Sequence, residues 1–442
     1  MTRSTWRNWG RSASARFAEA AAPHDETEVS AVLHRAAAAG LPVRPMGAGH
    51  SFTPIAATHG ISVRLDRMSG LRRVEVDSGR VTLGAGTRLR DLPDLLEPYG
   101  LALENLGDID HQSIAGAIST GTHGTGANFT GIAGQVVGLR IALADGRVVD
   151  CSEAERPDLF KAARVGLGAF GVLTEVTVQC VPAFLLAADE HPEPLDAVLD
   201  GFADRMCAAD HVEFYWFPHT DTALVKANRR LPLDADRNPV PRWRSLVDDE
   251  LLANGVFAGT CLAGAVAPRV VPSVNRLAAQ LVSDRSYVDL SHRVFTAPRR
   301  VRFREMEYAV PRAELPDVVR AIRTLISARG WRISFPLEIR VAAADDVWLS
   351  TAYQRPTAYI AVHRYYREPF AEYFTAVEDL LVGVAGRPHW GKLHTRDAEY
   401  LEDAYPRFAD VRRVRAEVDP GGLFANPYLD RVLGPVPVIS GR

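Results

Sequence analysis

The sequence predicts an α+β fold in which several small sheets alternate with short helices. Three observations predict it. The first third alternates short apolar strands with tight polar turns, helical stretches lie between them, and a later section alternates strands with two longer helical patterns. With 442 residues, of which 47% are apolar and 24% charged, the chain is long enough for two or three domains with sizeable cores.

Two hairpins are predicted in the first third. Residues 74–83 are two strands around the polar turn Asp77-Ser78-Gly79. Residues 137–149 are two more, and the Asp145-Gly146 pair between them supplies the positive φ that a tight hairpin needs. Helices are predicted at residues 26–39 and 88–99, because each pattern is followed by a glycine that can end a helix.

A change in composition at residues 182–194 predicts a domain boundary. Beyond it, the predicted strands are residues 212–217, 301–310, 334–341 and 357–365, the predicted helices are residues 314–329 and 369–384, and the predicted loops are residues 229–244 and 420–427. We therefore expect domains over residues 1–182 and 183–410, and a C-terminal segment, residues 411–442, that packs back near the first domain.

Composition and charge exclude several classes of function. A net charge of −3 gives no electrostatic reason for a nucleic-acid partner. The four cysteines lack the spacing of a zinc site or a disulfide framework, so we predict no metal. No apolar run is long enough to span a bilayer and no signal-peptide pattern opens the chain, so the cytosol is the predicted location. The sequence indicates no oligomeric state.

The glycines at residues 166–171 match the dinucleotide fingerprint G-x-G-x-x-G. That fingerprint requires a strand before it and a helix after it, so that the pyrophosphate meets a helix N-terminus. Here a predicted helix, residues 157–164, comes first, and a predicted strand, residues 172–178, follows. We therefore interpret these glycines as a turn that passes close to a bulky group.

Two other glycine-rich segments are candidates for holding a phosphorylated cofactor. Residues 47–52 place two glycines before His50, which suits a nest of backbone N–H groups or, alternatively, a tight turn with a half-buried imidazole. Residues 113–126 are small and rich in hydroxyls, which suits a pyrophosphate cradle or a flexible surface loop. The helical spacing of Ile114, Ala117 and Ile118 favours an anchored loop and hence the cradle.

Charged residues alternate in the later strands. Glu338 and Arg340 are two residues apart and share one face of a strand, as do His363 and Tyr365. The alternating residues of the first strand are apolar, which predicts a sheet with one face on a core and the other on water or a cavity. A surface ion pair is the alternative for Glu338 and Arg340, and an ordinary exposed lysine is the alternative for Lys392.

Together these motifs resemble a known family. Gly47-Ala48-Gly49-His50-Ser51-Phe52, Gly116-Ala117 and Thr120-Gly121-Thr122-His123-Gly124-Thr125-Gly126 are similar to the FAD domain of vanillyl-alcohol-oxidase-type flavoproteins. Leu337-Glu338-Ile339-Arg340 and His389-Trp390-Gly391-Lys392 resemble its sugar-lactone and alditol oxidase branch. Asn105-Leu106-Gly107 and Glu305-Met306-Glu307-Tyr308 are similar to L-gulono-1,4-lactone and D-arabinono-1,4-lactone oxidoreductases.

The resemblance implies an FAD-binding domain of two small α+β subdomains, followed by a substrate (cap) domain with a mixed or antiparallel sheet flanked by helices. It also implies FAD tethered through His50 by an 8α-histidyl bond. No cysteine occurs between His50 and Cys151, so a single bond is expected. The implied cofactor contacts are Gly47, Ala48, Gly49, His50, Ser51, Gly107, Ser113, Gly116, Ser119, Gly121, Thr122, His123, Gly124, Val172 and Lys392.

The implied reaction oxidises a secondary hydroxyl of an aldonolactone by hydride transfer to flavin N5, after which oxygen reoxidises the flavin and gives hydrogen peroxide. The implied catalytic residues are Glu338, Arg340, His363 and Lys392, and the implied substrate contacts are Asp108, Glu338, Arg340 and Tyr365. Arg340 and Lys392 supply positive charge for the developing negative charge. Glu338 orients Arg340 and binds a substrate hydroxyl, and His363 assists in positioning or proton transfer.

Three alternatives stay open. An alditol oxidase would share the fold, but Asp108 replaces a serine of that branch and Tyr365 replaces a smaller hydroxyl residue, which favours a ring lactone. A lactone dehydrogenase would pass electrons to an acceptor other than oxygen, although the small Gly107 is compatible with oxygen approach. A non-catalytic flavin-binding protein is disfavoured by the intact Glu338, Arg340 and Lys392.

Overall fold

A computed structural model describes residues 4–241, 257–281, 284–297 and 300–436. The strands in these ranges are β1 Ser4–Arg7, β2 Ser14–Phe17, β3 Glu19–Ala21, β4 Val43–Met46, β5 Ile61–Arg64, β6 Leu71–Glu75, β7 Arg80–Gly84, β8 Leu101–Ala102, β9 Val136–Ala142, β10 Val148–Ser152, β11 Val172–Gln179, β12 Val181–Pro182, β13 Phe184–Pro194, β14 His211–Trp216, β15 Thr222–Pro232, β16 Arg285–Leu290, β17 Phe303–Pro311, β18 Leu337–Ala342, β19 Thr357–Tyr365 and β20 Arg387–Pro388.

The α-helices in the same ranges are mostly short. They are α1 Glu26–Ala38, α2 Leu92–Leu96, α3 Ile114–Ser119, α4 Pro157–Ala163, α5 Leu195–Asp200, α6 Phe202–Ala208, α7 Phe257–Val266, α8 Val271–Leu281, α9 Ser291–Phe295, α10 Leu315–Arg329, α11 Ala371–Val382, α12 Ala398–Ala404, α13 Phe408–Val418 and α14 Pro427–Leu433. In the part of the chain that the structure describes, no helix combines the length and the apolar character needed to cross a bilayer.

The N-terminal region contains two main sheets around one apolar core. A parallel three-stranded sheet has the order β3-β5-β4, and an antiparallel five-stranded sheet has the order β10-β9-β11-β7-β6. Val29 of α1, Leu83 of β7 and Ile141 of β9 are buried in the same cluster, together with Ile118 of α3. The core therefore holds α3, which lies beside the glycine-rich loops, against both sheets.

Most local predictions for this region are confirmed, but one predicted helix is broken. β6 pairs with β7 and β9 with β10 as antiparallel hairpins, and Gly146 adopts a φ of +83° in the second turn. Helix α4 precedes the glycine run at residues 166–171 and strand β11 follows it, so the reversed order that argues against a dinucleotide fingerprint is present. The helix predicted at residues 88–99 is broken into α2 and two flanking 3₁₀ turns.

The later part of the chain forms an eight-stranded sheet with the order β16-β13-β15-β14-β18-β19-β17-β20, in which every described pairing is antiparallel. Helices α10 and α11 cover one face, where Ile322 of α10 and Val377 of α11 pack with Leu337, Ile339 and Val341 of β18. The charged residues of β18 therefore point to the opposite face, which meets the glycine-rich loops of the N-terminal region.

The boundary segment contains a strand, and one predicted loop is partly wrong. Residues 184–194, in the segment whose composition predicts a boundary, form the long strand β13, which carries the chain into the large sheet. The segment predicted as a loop at residues 229–244 begins inside β15, because residues 229–232 complete the ladder with β13. Its last residues, 242–244, lie outside the described ranges.

The C-terminal segment packs against the first sheet. The backbone N–H of Val43 in β4 donates to the carbonyl of Leu423 at 2.7 Å, and Phe424 and Leu429 belong to the N-terminal core cluster. The C-terminal segment therefore completes the core of the N-terminal region.

Candidate active site

Four adjacent strands of the large sheet build the floor of a cavity. In the register of β14, β18, β19 and β17, Tyr215 lies opposite Glu338, Glu338 opposite Ala361, and Ala361 opposite Glu307. These residues share one face, since side chains alternate along strands. The small Ala361 leaves room at the centre of this row, and a cavity of about 1070 Å³, its open mouth included, lies above it.

Three carboxylates surround the Arg340 guanidinium. Its Nε donates to Glu213 Oε2 at 2.9 Å, its Nη2 pairs with Glu338 Oε1, and the same Nη2 lies 3.7 Å from Asp108 Oδ1. The single hydroxyl hydrogen of Tyr215 is shared between Glu213 Oε1, at an O···O distance of 3.1 Å, and Glu338 Oε1, at 3.3 Å. Residues of its own and the neighbouring strand, and the loop that carries Asp108, thus hold Arg340 in place. Its guanidinium is therefore oriented before a substrate binds.

Burial and charge oppose each other at this arginine. Burial lowers the pKa of Arg340, but the carboxylates of Glu338, Glu213 and Asp108 raise it by more. The pKa of Arg340 is therefore well above its ordinary value. Burial raises the pKa of Glu213, but Arg340 and Lys226 reverse this and lower it overall. Lys226 lies 3.5 Å from Glu213 behind the cavity. Both partners therefore stay ionised at neutral pH.

Lys392 is held in a similar way on the other side of the cavity. Its Nζ pairs with Glu305 Oε2 and lies 3.8 Å from Glu307 Oε2. Burial lowers the pKa of Lys392, but the two carboxylates outweigh burial and raise it. His363 Nδ1 lies 3.2 Å from the carbonyl of Pro336, and its Nε2 lies 3.6 Å from Glu305 Oε1. The ring is thus held between the backbone and the carboxylate that also pairs with Lys392.

His123, Glu307 and His389 form a buried cluster whose ligand-type atoms lie within 4.8 Å of one another. His123 Nε2 meets Glu307 Oε1 at 2.7 Å, and its Nδ1 meets the carbonyl of Gly124 at 2.9 Å. Both ring nitrogens of His123 thus lie against hydrogen-bond acceptors. With Lys392 also beside Glu307, we interpret the cluster as a hydrogen-bonded network rather than a metal site.

His50 lies at the wall of this cavity. Its ring stacks between those of Trp9 and His111, with centroid distances of 5.9 and 5.8 Å. Burial, followed by the nearby His111, Arg88 and Lys392, lowers the pKa of His50 to about 4. The imidazole is therefore neutral at pH 7, and a nitrogen lone pair is available for a bond to carbon.

A second cavity lies next to His50, since Gly49 and Ser51 line it. Its lining includes apolar residues, the carboxylate of Asp66, and a set of glycines and hydroxyl residues: Gly47, Gly49, Ser51, Thr53, Gly86, Ser113, Ser119, Thr120, Gly168 and Gly171. A Cβ at Gly47 would lie 2.6 Å from Ser113 Oγ, and Gly49 adopts a φ of +75°, so larger residues are excluded at both positions. This cradle of backbone and hydroxyl groups suits a phosphorylated cofactor such as FAD.

The two cavities adjoin each other, because Ser51 and Thr120 line both of them. The loop of residues 47–52 is anchored to the loop of Lys392, since Phe52 N–H donates to the Gly391 carbonyl at 2.6 Å. A long cofactor can therefore lie in the glycine-lined cavity and present its reactive end beside His50. An alcohol above it would meet Arg340, Lys392 and His363.

The structure brings most of the predicted site residues together. The first cavity is lined by His50, Ser51, Gly107, Asp108, Thr122, His123, Glu338, Arg340, His363 and Lys392, and the second by Gly47, Gly49, Ser51, Ser113 and Ser119. Predicted contacts that do not line either cavity are Ala48, Gly116, Gly121, Gly124, Val172 and Tyr365.

Each of two displaced residues has a structural reason. Val172 is fully buried as β11 begins, and its neighbours Gly171 and Leu173 line the second cavity instead. Tyr365 packs in an aromatic cluster with Phe52 and Phe335 beside the first cavity.

Sequence reasoning assigned no role in the site to Glu213, Tyr215, Lys226, Glu305, Glu307 and His389. Glu213 and Tyr215 alternate on β14, and Glu305 and Glu307 alternate on β17, in the same pattern that singled out Glu338 and Arg340. That repeated alternation in two predicted strands is the signal that could have found these four residues. Which strands are neighbours is set by the sheet order.

Comparison with known families agrees with this architecture. The family described as D-arabinono-1,4-lactone oxidase matches residues 176–432, and the family described as FAD binding domain matches residues 18–152. The FAD-binding match covers most residues of the glycine-lined cavity, and the lactone-oxidase match covers the strands of the large sheet.

Individual relatives cover nearly the whole chain. An L-gulono-1,4-lactone dehydrogenase of Mycobacterium tuberculosis is 41% identical over 97% of this chain and 99% of its own length. An L-gulonolactone oxidase of Mus musculus is 33% identical over 93% and 94%. An alditol oxidase of a Streptomyces species is 30% identical over 87% and 89%. The crystal structure of cholesterol oxidase from B. sterolicum has a TM-score of 0.81 at 18% identity and covers 98% of this chain and 97% of that one, which shows a shared fold.

Proposed function

The chain belongs to the D-arabinono-1,4-lactone oxidase family, and we propose that it oxidises an aldonolactone with FAD as its cofactor. The substrate is L-gulono- or D-arabinono-1,4-lactone. Oxidation of the C2 hydroxyl gives a 2-keto lactone, which enolises to an ascorbate-type product.

One observation carries the proposal: the glycine-lined cavity adjoins the first cavity, here called the chamber, which holds Arg340, Lys392 and Glu338. A flavin bound there supplies an acceptor for the hydride removed from the substrate carbon. We further propose that His50 holds the flavin by a covalent bond, for which its neutral imidazole is suited. Cys151 is buried in β10 with a pKa raised to about 12, which suits a structural thiol rather than a second tether.

The side chains of the chamber account for the rest of the chemistry. Arg340 and Lys392 place two positive charges where negative charge develops on the substrate oxygen and on the reduced cofactor. The Glu338 carboxylate accepts a hydrogen bond from a substrate hydroxyl and orients Arg340. His363, whose Nε2 lies 3.6 Å from Glu305 Oε1, assists in positioning or in proton transfer.

The alditol oxidase alternative has some support, because an alditol oxidase is among the relatives. Asp108 and the two lactone-acting relatives favour the lactone instead. The relatives also differ in their acceptor by name, since one is a dehydrogenase and another an oxidase. We propose oxygen as the acceptor, because Gly107 leaves the wall of the chamber without a side chain.

A panel assay tests the proposal. Purified protein is given L-gulono-1,4-lactone, D-arabinono-1,4-lactone and two alditols, and peroxide formation is measured. The same panel is run without oxygen in the presence of an artificial electron acceptor. We expect turnover with the lactones in both formats. Turnover with alditols alone would refute the lactone assignment, and turnover only with the artificial acceptor would make the protein a dehydrogenase.

A further inference from the structure

The cations of the chamber are already paired with carboxylates of the protein. Arg340 directs Nε to Glu213 and Nη2 to Glu338, with Asp108 3.7 Å away. Lys392 is shared between Glu305 and Glu307. An arginine that binds a substrate carboxylate normally offers two parallel N–H donors to it. Here the Nε and Nη2 donors already face protein carboxylates.

The lining of the chamber also carries an excess of carboxylates over permanent cations. Its carboxylates are Asp108, Glu305, Glu307 and Glu338, and its permanent cations are Arg340 and Lys392. The carboxylates therefore outnumber the permanent cations of the lining. Additional negative charge in such a buried site meets like charge at short range. Uncharged hydroxyls, in contrast, donate hydrogen bonds to these carboxylates and suffer no repulsion.

We propose that the site selects uncharged polyhydroxy substrates and rejects aldonate anions, and that Asp108 sets this charge preference. This inference rests on the proposed function, because an aldonate is what a sugar lactone becomes when its ring ester is hydrolysed. The two species share their hydroxyl pattern, but the open form gains a carboxylate. The protein therefore acts on the closed lactone and is not inhibited by its hydrolysis product.

Asp108 is the carboxylate best placed for this role. Glu213 and Glu338 lie on strands of the sheet and hold Arg340 through close contacts. Asp108 lies on a loop of the opposite wall, and its contact with Arg340 is the longest of the three. Its backbone is fixed separately, since the Asp108 carbonyl accepts from Ala297 N–H at 3.0 Å. Removing its charge therefore leaves the two close pairings of Arg340 intact.

The test compares the inhibition constant of sodium L-gulonate with the KM of L-gulono-1,4-lactone. In the native protein we expect the gulonate constant to exceed the lactone KM by at least about a hundredfold. The isosteric D108N variant should reduce this ratio by about tenfold, a change of about 1.4 kcal/mol. D94N, at an exposed aspartate of α2, is the matched control and should leave the ratio unchanged.

D108S repeats the test in case D108N folds poorly. A native ratio below tenfold, or a ratio that neither Asp108 variant lowers beyond the D94N control, would overturn the proposal.

Failure of the proposed function gives a different result. If no lactone reduces the flavin, the lactone assignment is wrong, and charge preference is then read from binding alone. The dissociation constants of gulonate and of the corresponding uncharged alditol are measured from the change in the flavin absorbance spectrum. Tighter binding of the alditol by tenfold or more supports charge selection, and a smaller difference contradicts it.

Discussion

At the scale of single residues, the site depends on carboxylates that hold its cations in place. Glu213 and Glu338 fix Arg340, and Glu305 fixes Lys392, each as a buried pair in which removal of one partner leaves an uncompensated charge. Removal of one of these carboxylates should therefore reduce turnover more than removal of one partner of an exposed ion pair.

His50→Ala tests the proposed covalent bond. In the native protein the flavin should remain with acid-precipitated protein, because a bond to carbon survives unfolding. In the variant the flavin should appear in the supernatant or be absent from the purified protein. Absorbance near the flavin maximum in pellet and supernatant measures this. H111A removes a ring that stacks on His50 and should keep the bond, so release from both variants would contradict the assignment.

Glu305→Gln tests how Lys392 is kept charged. Glu305 raises the pKa of Lys392 against the effect of burial, so its removal lowers that pKa. Activity that needs the ammonium is present below its pKa and lost above it. The alkaline limb of kcat/KM should therefore move to lower pH, and kcat at neutral pH should fall by about tenfold to a hundredfold.

The pH profile separates this positioning role from a general loss of structure. E314Q, at an exposed glutamate that precedes α10, is the control and should leave the profile unchanged. A profile of E305Q that is merely lower, without a shift of its alkaline limb, would contradict the role of Glu305.

At the scale of elements, strand register brings the residues of the chamber together. The close approach of the 47–52 loop to helix α3 forms the cofactor cradle. The β14-β18-β19-β17 order aligns four strands whose polar residues point to one face. The 47–52 loop meets helix α3 where Gly47 lies against Ser113, whose Oγ accepts from Gly116 N–H at 3.3 Å and caps that helix. The cradle thus has no space for a side chain at residue 47.

Gly47→Ala tests that close approach. Its Cβ would lie 2.6 Å from Ser113 Oγ and would displace the helix cap, at a cost of about 1–3 kcal/mol in the free energy of unfolding. Flavin content per protein should fall at least about twofold, because the cradle is narrowed. Flavin absorbance and thermal unfolding measure the two effects. G421A, whose Cβ would meet nothing within 4 Å, should behave like the native protein.

At the scale of the whole molecule, a single buried cation joins segments that are far apart in the sequence. Arg44 of β4 donates to the carbonyls of Ile55, Leu167, Gly168 and Phe424, at distances between 2.6 and 3.0 Å. Gly168 lines the second cavity and Phe424 belongs to the C-terminal segment. Burial, with the nearby Arg415, lowers the pKa of Arg44 to about 9, so it remains charged at neutral pH.

Arg44→Met should destabilise the protein by at least about 3 kcal/mol, because it leaves four carbonyl acceptors without their donor. The same change should reduce flavin content, since the turn at Gly168 loses its anchor. Denaturant unfolding of the two proteins measures the first effect. R35M removes an exposed arginine that pairs with Glu19, and should change stability by less than about 0.5 kcal/mol. Equal stability of R44M and R35M would contradict the anchoring role.

The sequence by itself determined the α+β class, both N-terminal hairpins, α1, the reversed context of the glycine run at residues 166–171 and the shared strand face of Glu338 and Arg340. These features depend on residues that are close in the chain, where turn chemistry and side-chain periodicity act directly. The motif resemblance added the family and its cofactor. The broken helix at residues 88–99 shows the limit, since its pattern is helical but its chain path is not.

Only the tertiary structure decided which carboxylate accompanies which cation. Glu305 and Lys392 are 87 residues apart, and Glu213 and Arg340 are 127 apart. Their contacts follow from the strand order of the large sheet and from the docking of loops across its face, and alternation along one strand contains no information about its neighbour. The same reason explains why Asp108 and Tyr365, both expected at the substrate, have different surroundings. The loop places Asp108 near Arg340, whereas Tyr365 packs among aromatic residues.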